Sequence, residues 1–308
     1  MSEHRPVLLH ETLEALAVTT GGHYVDATYG RGGHTRAILE QLGADGNLLV
    51  MDRDPEAIAA ARENHSDDAR VTIVSDAFAN IGNAIAAAGW QAKVDGLLLD
   101  LGVSSPQLEQ AERGFSFQHD APLDMRMDNT GGLTAADWIA QADVVEIGSV
   151  LRSLGEERFY KRISRAIVEA RETASITRTG QLAEIVSAAV PVREPGRHPA
   201  TRVFQALRIQ VNDELGQLEA ALKQSVDVLA PGGRLCVISF HSLEDRIVKR
   251  FMRRLSLVDQ MWRGLPQVPA HAQAVFERPR PALRPGREEQ QQNPRSRSAV
   301  LRVAERCK

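Results

Sequence analysis

Over the first hundred positions, short apolar runs alternate with stretches whose apolar residues recur every three or four places. That is the rhythm of strand and helix in a parallel sheet covered on both faces. The pattern predicts strands at Tyr24–Ala27, Leu48–Met51, Val71–Val74 and Gly96–Leu99, with helices at His34–Leu42, Pro55–His65 and Ala79–Ala88 between them. Asp54 ahead of Pro55 is a helix start: a capping side chain followed by a first-turn proline. The rhythm stops at Asp100, and no strand pattern returns until Leu235–Phe240. In between, Ala135–Trp138, Val144–Leu154, Arg158–Ala170 and Thr179–Val190 read as helices, and Pro191–Pro199 as a connector. Phe204, Leu207, Val211, Leu215, Leu218, Leu222, Val226 and Leu229 then follow at steps of three and four. One long helix with one buried face is predicted there, halted by Pro231-Gly232-Gly233. A helix over Leu243–Leu255 and a last strand at Ser298–Val303 complete the pattern. The expected architecture is α/β: a doubly wound sheet in two parts, residues 1–104 and 201–308, with an inserted helical domain at 105–200.

Composition narrows the class. With 43% hydrophobic and 25% charged residues over 308 positions, the chain is that of a folded protein rather than a disordered one. No apolar run reaches the roughly 18 residues of a membrane span, and Met1–Leu9 lacks a signal peptide's basic and apolar regions, so no membrane partner and a cytoplasmic location are expected. Two cysteines, Cys236 and Cys307, make neither a disulfide framework nor a metal cluster, and no metal is expected. The net charge of −3 conceals a polarity: residues 246–308 hold 15 basic and 5 acidic side chains, and thirteen of the basic ones are arginine. Arginine pairs with phosphate through a planar fork, so the carboxy-terminal segment is expected to meet a polyanion.

The predicted strand ends carry the chemistry. After the first comes Asp26-Ala-Thr-Tyr-Gly30-Arg-Gly32-Gly33-His34-Thr35, a turn whose glycines allow a tight bend and a close ligand approach. A dinucleotide site calls for a third glycine where Thr35 stands, which weakens a pyrophosphate-binding role. Asp52 ends the second strand, placed to accept hydrogen bonds from a ribose diol. Ser75-Asp76-Ala-Phe78 ends the third, able to face an adenine. Such a set describes a nucleoside site without a pyrophosphate, and S-adenosyl-L-methionine fits it. The fourth strand ends in Asp100-Leu-Gly102-Val-Ser104-Ser-Pro-Gln107, where an acceptor for amino hydrogens and a close backbone approach are available. Ser239-Phe240-His241-Ser242-Leu-Glu244-Asp245 ends the fifth. Candidate catalytic residues are Asp100, Ser104 and His241, although His241 also suits a structural role and Ser242 or the acids after it suit a helix cap.

These blocks, with His4-Arg-Pro6-Val-Leu-Leu-x-Glu11, Arg113-Gly-Phe-Ser-Phe117, Pro122-Leu-Asp-Met-Arg-Met127, Gly155-Glu-Glu-Arg-Phe159, Phe204-Gln-Ala-Leu-Arg208 and Asn293-Pro-Arg-Ser-Arg-Ser298, resemble the ribosomal RNA small-subunit methyltransferase H family, also called MraW. The resemblance runs from His4 to about Arg302. It implies a Rossmann-like methyltransferase sheet with a helical insertion. It also implies S-adenosyl-L-methionine as cofactor, and transfer of its methyl to the exocyclic N4 amino group of a cytidine in the decoding region of bacterial 16S rRNA. The small ribosomal subunit is the implied partner, and whether the chain works as a homodimer stays open. Carried over by position, cofactor contacts fall at Gly32, Gly33, His34, Asp52, Phe78, Asp100 and Gln107. Ala121 stands where the family has glycine, Val300 where it has lysine, and Arg278–Gly286 departs from the pattern.

The residues exclude other acceptors. Carbon-5 methylation of a pyrimidine needs an exposed cysteine nucleophile, whereas Cys236 lies within an apolar strand and Cys307 at the chain's last turn. None of Lys93, Lys161, Lys223, Lys249 and Lys308 falls at a strand end where a ribose-oxygen methylase would need one. Nitrogen remains, with Phe240, Phe115 or Phe117 as the aromatic that stacks on a flipped base. A dinucleotide-dependent oxidoreductase and an RNA-binding protein without methyl transfer are the rival expectations.

Overall fold

The computed structural model describes residues 6–192, 194–258, 260–262, 264, 267–269 and 272–308. His4 and Arg5 of the first sequence block lie outside them. Six strands, β1 (His23–Asp26), β2 (Asn47–Asp52), β3 (Val71–Ser75), β4 (Val94–Asp100), β5 (Leu229–Ser239) and β6 (Val300–Glu305), form one sheet in the order β3-β2-β1-β4-β5-β6. The first five are mutually parallel, and β6 pairs antiparallel with β5. Helices α1 (Leu9–Leu16), α2 (Gly33–Leu39), α3 (Pro55–His65), α4 (Ile81–Ala87) and α5 (Ser105–Glu109) precede a helical stretch of α6 (Ala135–Gln141), α7 (Val144–Ser153), α8 (Tyr160–Thr173), α9 (Thr179–Ala189) and α10 (Thr201–Asn212). The chain ends through α11 (Glu214–Val228), α12 (Ser242–Leu255) and α13 (Arg287–Gln292).

Strand side chains alternate between two apolar layers, as the period of two requires. Leu49, Met51, Leu97, Leu99, Leu235 and Val237 enter one core, while Leu48, Val50, Leu98, Cys236 and Ile238 enter the other. Both faces of the sheet are therefore sealed, and only strand ends are left for polar work. Local caps set the helices that return across it: Asp54 Oδ1 accepts the Glu56 N–H at 3.0 Å, with Pro55 in the first turn.

The chain separates into two compact units, Met1–Gly102 with Leu215–Lys308, and Val103–Glu214. The second unit therefore runs to Glu214 instead of ending at residue 200, because α10 belongs to its core. That core is built from Leu123, Met125, Trp138, Ile147, Leu151, Ile163, Leu182, Phe204 and Leu207 among others.

The single helix expected from Phe204 to Leu229 is two helices. Asp213 adopts a left-handed conformation (φ 47°, ψ 41°) between α10 and α11. Asn212 explains the break: its side-chain amide donates to the Met125 and Arg208 carbonyls at 2.7 and 2.8 Å, and its oxygen accepts the Met127 N–H at 2.8 Å. An unbroken apolar spacing reports which face is buried, and a side chain bonded to a neighbouring loop can end the helix without disturbing that spacing. Pro231-Gly232-Gly233 does not stop a helix either; it lies inside β5, whose register against β4 shifts between Val94 and Gly96. Smaller differences follow the same logic. Phe78–Asn80 is a short 3-10 turn before α4, and Pro294–Ser298 is another, so the last strand starts at Val300.

Candidate active site

Parallel order places the carboxyl ends of β1 to β5 on one edge of the sheet. The connection direction reverses between β1 and β4, and the crevice at such a reversal is where open α/β sheets bind ligands. Asp26 and Asp100 end those two strands. They are linked by the loop after β1, since Thr28 Oγ1 accepts the Asp100 N–H at 2.7 Å and Asp26 Oδ1 accepts the Thr28 N–H at 3.2 Å.

The glycine turn is shaped first by its own chain. Gly32 is left-handed (φ 70°), and a Cβ there would fall 2.5 Å from the Tyr29 hydroxyl; a Cβ on Gly33 would fall 2.3 Å from Pro6 Cγ. The glycine at 33 is thus required by the amino-terminal segment, a constraint that spacing alone does not reveal. Thr35, where a dinucleotide site would have glycine, is fully buried and donates to Asp26 Oδ2 at 2.7 Å. Burial raises the Asp26 pKa, opposed by His34 and by the Thr35 and Thr28 hydrogen bonds.

His34, 6% exposed, stands with Nε2 3.6 Å from Asp100 Oδ2. Among the described residues neither ring nitrogen makes a hydrogen bond of normal geometry, although the Asp100 side chain and the Val7 backbone face the ring, and Asp100 Oδ1, also buried, has no partner. Burial on its own lowers the His34 pKa, but the carboxylates of Asp100 and Asp26 outweigh it and hold the imidazole above its ordinary value. An imidazole whose charged form is favoured thus stands beside a carboxylate with an unpartnered oxygen. Groups so placed and so little satisfied mark a ligand site, since buried polar atoms are otherwise paired.

Asp52 ends β2 with both oxygens engaged: Oδ2 accepts the Gly30 N–H and Oδ1 the Asp54 N–H, each at 2.9 Å. Burial nevertheless pushes its carboxyl up to about 6. Each oxygen retains a second lone pair for a hydroxyl donor. After β3, Asp76 Oδ1 accepts the Ala77 N–H and the Asn80 side chain at 2.7 and 2.8 Å, and half-buried Phe78 rests on the core beside it. Asp76 therefore serves the turn that sets Phe78.

Beyond β4, Gly102 is left-handed (φ 93°), and a Cβ on it would lie 3.5 Å from the Phe240 ring. His241 has one ring nitrogen in a cap, while its buried Nε2 makes no hydrogen bond among the described residues and lies 3.2 Å from Glu244 Oε1. It is the N-cap of α12, its Nδ1 accepting the Glu244 N–H at 3.5 Å while Glu244 Oε2 accepts the N–H groups of Phe240 and His241 at 2.8 and 3.2 Å. Of the capping residues expected, Glu244 serves, and His241 rather than Ser242 is its partner. Ser239 Oγ, fully buried at the end of β5, has no partner among the described residues, and nothing in its sequence position marks it.

Ser104 and Gln107 lie in the second unit, at the start of α5. There Gln107 Oε1 accepts the Ser104 N–H at 2.9 Å, so both have a capping role. Phe115 is buried in that unit's core, and Phe117 packs on His198 and Phe204 with ring centroids 4.6 and 4.8 Å apart. Of the three stacking candidates, Phe240 stands beside the sheet edge. Asp26, Thr28 and Thr35 join the site in addition. Their signal was an acid closing an apolar strand and two hydroxyls in the turn after it.

The residues fit S-adenosylmethionine: carboxylates with spare acceptor capacity at β2 and β4, a glycine turn between them and an aromatic after β3. An α/β sheet with this order and this edge is that of a Rossmann-like S-adenosylmethionine-dependent methyltransferase. The model of the MraW methylase family matches residues 1–307, and the chain belongs to that family. Among solved structures it is similar to an rRNA methylase from Streptococcus thermophilus, at 13% identity, covering 100% of each chain with a TM-score of 0.44. It is also similar to an O-methyltransferase from Thermotoga maritima, at 11% identity, covering 100% of this chain and 69% of that one, with a TM-score of 0.43. No described helix is long and apolar enough to cross a membrane.

Proposed function

We propose that the chain methylates the exocyclic N4 amino group of a cytidine in the decoding region of bacterial 16S rRNA, acting on the small ribosomal subunit. Family membership supports methyl transfer. The observation that favours an amine is the unpartnered, buried Oδ1 of Asp100 beside left-handed Gly102. When bound, S-adenosylmethionine supplies an electrophilic methyl group on its sulfonium. Asp52 accepts hydrogen bonds from the ribose hydroxyls, Phe78 flanks the adenine, and the glycine turn with His34 borders the rest of the cofactor. Asp100 Oδ1 would accept an amino hydrogen of the target and so turn the nitrogen lone pair toward the methyl. As the nitrogen–methyl bond forms and the sulfur–methyl bond breaks, the amino proton would leave to the carboxylate that holds it. Gly102 lets the base come close, and Phe240 offers a ring on which it stacks.

Side-chain chemistry disfavours the other acceptors. Burial pushes the Cys236 thiol up to about 12, and burial together with the nearby Glu277 raises that of Cys307, so neither supplies a thiolate. A Cys236→Ala, Cys307→Ser variant is expected to keep most of its activity. Methylation of small subunits followed by mass spectrometry of the nucleosides tests the proposal: N4-methylcytidine is expected, and 5-methylcytidine or a ribose-methylated product refutes it.

A further inference from the structure

α12 starts where β5 ends, next to the sheet edge that carries Asp100, and its 14 residues extend about 21 Å at 1.5 Å each. One side is core: Leu243, Val248 and Met252 are buried, and Ile247, Phe251 and Leu255 pack against the same cluster. The other side presents Arg246, Lys249, Arg250, Arg253 and Arg254, all exposed. The helix's own acids do not neutralise the last four of these. Glu244 is buried and holds the Phe240 and His241 N–H groups, while Asp245 is bound at 2.7 and 3.0 Å to the guanidinium of Arg302. Lys249, Arg250, Arg253 and Arg254 enter no ion pair among the described residues.

Lys249–Arg253 and Arg250–Arg254 are like-charge pairs four residues apart, each of which destabilises an isolated helix by about 0.2–0.5 kcal/mol. The macrodipole accounts for the two arginines of the last turn at most, because its effect fades within one turn. Lys249 and Arg250 sit mid-helix and gain nothing from it. The Leu255 carbonyl accepts the Phe276 N–H, and Phe276 pairs with Arg306, which bonds to Gly233 near the start of β5, so α12 runs from the reaction edge to the opposite end of the sheet. Its row of uncompensated cations leads away from that edge as a track for a polyanion. A lipid surface suits it poorly, since a membrane-binding helix must turn its apolar face outward and this one has buried it.

We propose that this face of α12 binds the phosphate backbone of the RNA strand that carries the target base. The inference rests on the rRNA reading above and adds the surface that holds the strand. A Lys249→Gln, Arg250→Gln, Arg253→Gln, Arg254→Gln variant tests it, with an Arg62→Gln, Lys93→Gln variant as a charge control on other helices and loops. Binding of small-subunit rRNA is titrated across salt concentrations, alongside S-adenosylmethionine affinity and methylation kinetics. With four phosphates no longer neutralised, the slope of log affinity against log salt falls by about 3. The RNA KM rises about tenfold or more near physiological salt, while S-adenosylmethionine affinity and the control's slope stay at wild-type values. An unchanged slope and KM in a quadruple variant that binds S-adenosylmethionine normally overturns the proposal. So does capture by phosphatidylserine vesicles that depends on these four residues while the RNA slope does not. Wild-type protein that transfers no methyl to rRNA refutes the rRNA reading, and this inference with it.

Discussion

Two buried polar clusters, one in each compact unit, are built from similar side chains and put to opposite use. In the inserted unit, Asn212 makes three hydrogen bonds to backbone, and Arg208 grips Glu214 through two hydrogen bonds of 2.7 and 2.8 Å. At the edge of the sheet, His34 and Asp100 face each other at 3.6 Å, with the ring nitrogens making no hydrogen bond of normal geometry and a carboxylate oxygen unpartnered among the described residues. An unsatisfied buried polar group costs about 1–3 kcal/mol, so a fold tolerates several together where a ligand completes them. Of these two clusters, the satisfied one is architecture and the unsatisfied one borders the crevice.

The comparison breaks most visibly at Asp100. Asp100→Ala is expected to lower single-turnover methyl transfer by roughly a thousandfold, because amine orientation depends on it and its carboxylate favours the charged form of His34. The melting temperature should barely move, since the retained backbone N–H of residue 100 still donates to Thr28. A large loss of stability with normal transfer would reverse the assignment. Asn212→Ala should do the opposite, lowering unfolding free energy by about 2–4 kcal/mol in denaturant titrations through the removal of its three hydrogen bonds. S-adenosylmethionine affinity at a temperature where the variant is folded should be unaffected.

Asp52 sharpens the contrast, being a site residue whose backbone bonds are already made. Asp52→Ala should weaken S-adenosylmethionine binding by about 1.5–3 kcal/mol. Hydroxyl groups donate best to the ionised carboxylate, and burial raises this one to about 6. Affinity is therefore full above that pH and declines as pH falls through it. Calorimetry from pH 5 to 8 should show that decline in the wild type and a flatter profile in Asp52→Asn.

The smallest effect concerns the carboxy-terminal arginines. Arg278, Arg280, Arg284, Arg287, Arg295 and Arg297 are all exposed, with Arg280 3.7 Å from Glu305, while the less exposed Arg302 is tied to Asp245 and Arg306 to the Leu229 carbonyl. Replacing several of the six with glutamine should lower the salt slope of RNA binding by about 0.7–0.9 for each phosphate no longer neutralised, leaving S-adenosylmethionine affinity alone. A slope that stays at its wild-type value would leave them as a solvated surface.

Sequence alone determined the parallel half-sheet, the return of the chain to it around Leu235–Phe240, and the family. Each of these depends on local periodicity or on residue identity: alternation writes a strand into neighbouring positions, and Gly30-Arg-Gly32-Gly33 or Asp100-Leu-Gly102 keep their meaning wherever they stand. Only the tertiary structure decided which polar residues are free. Whether His241 caps a helix or meets a substrate depends on Glu244 turning back to the Phe240 and His241 N–H groups. Whether Gly33 yields to a ligand or to Pro6 depends on where the amino-terminal segment comes to rest. The break at Asp213 was equally invisible, because Asn212 takes its partners from a loop 85 and 87 residues away, and hydrophobic spacing carries no record of so distant a bond.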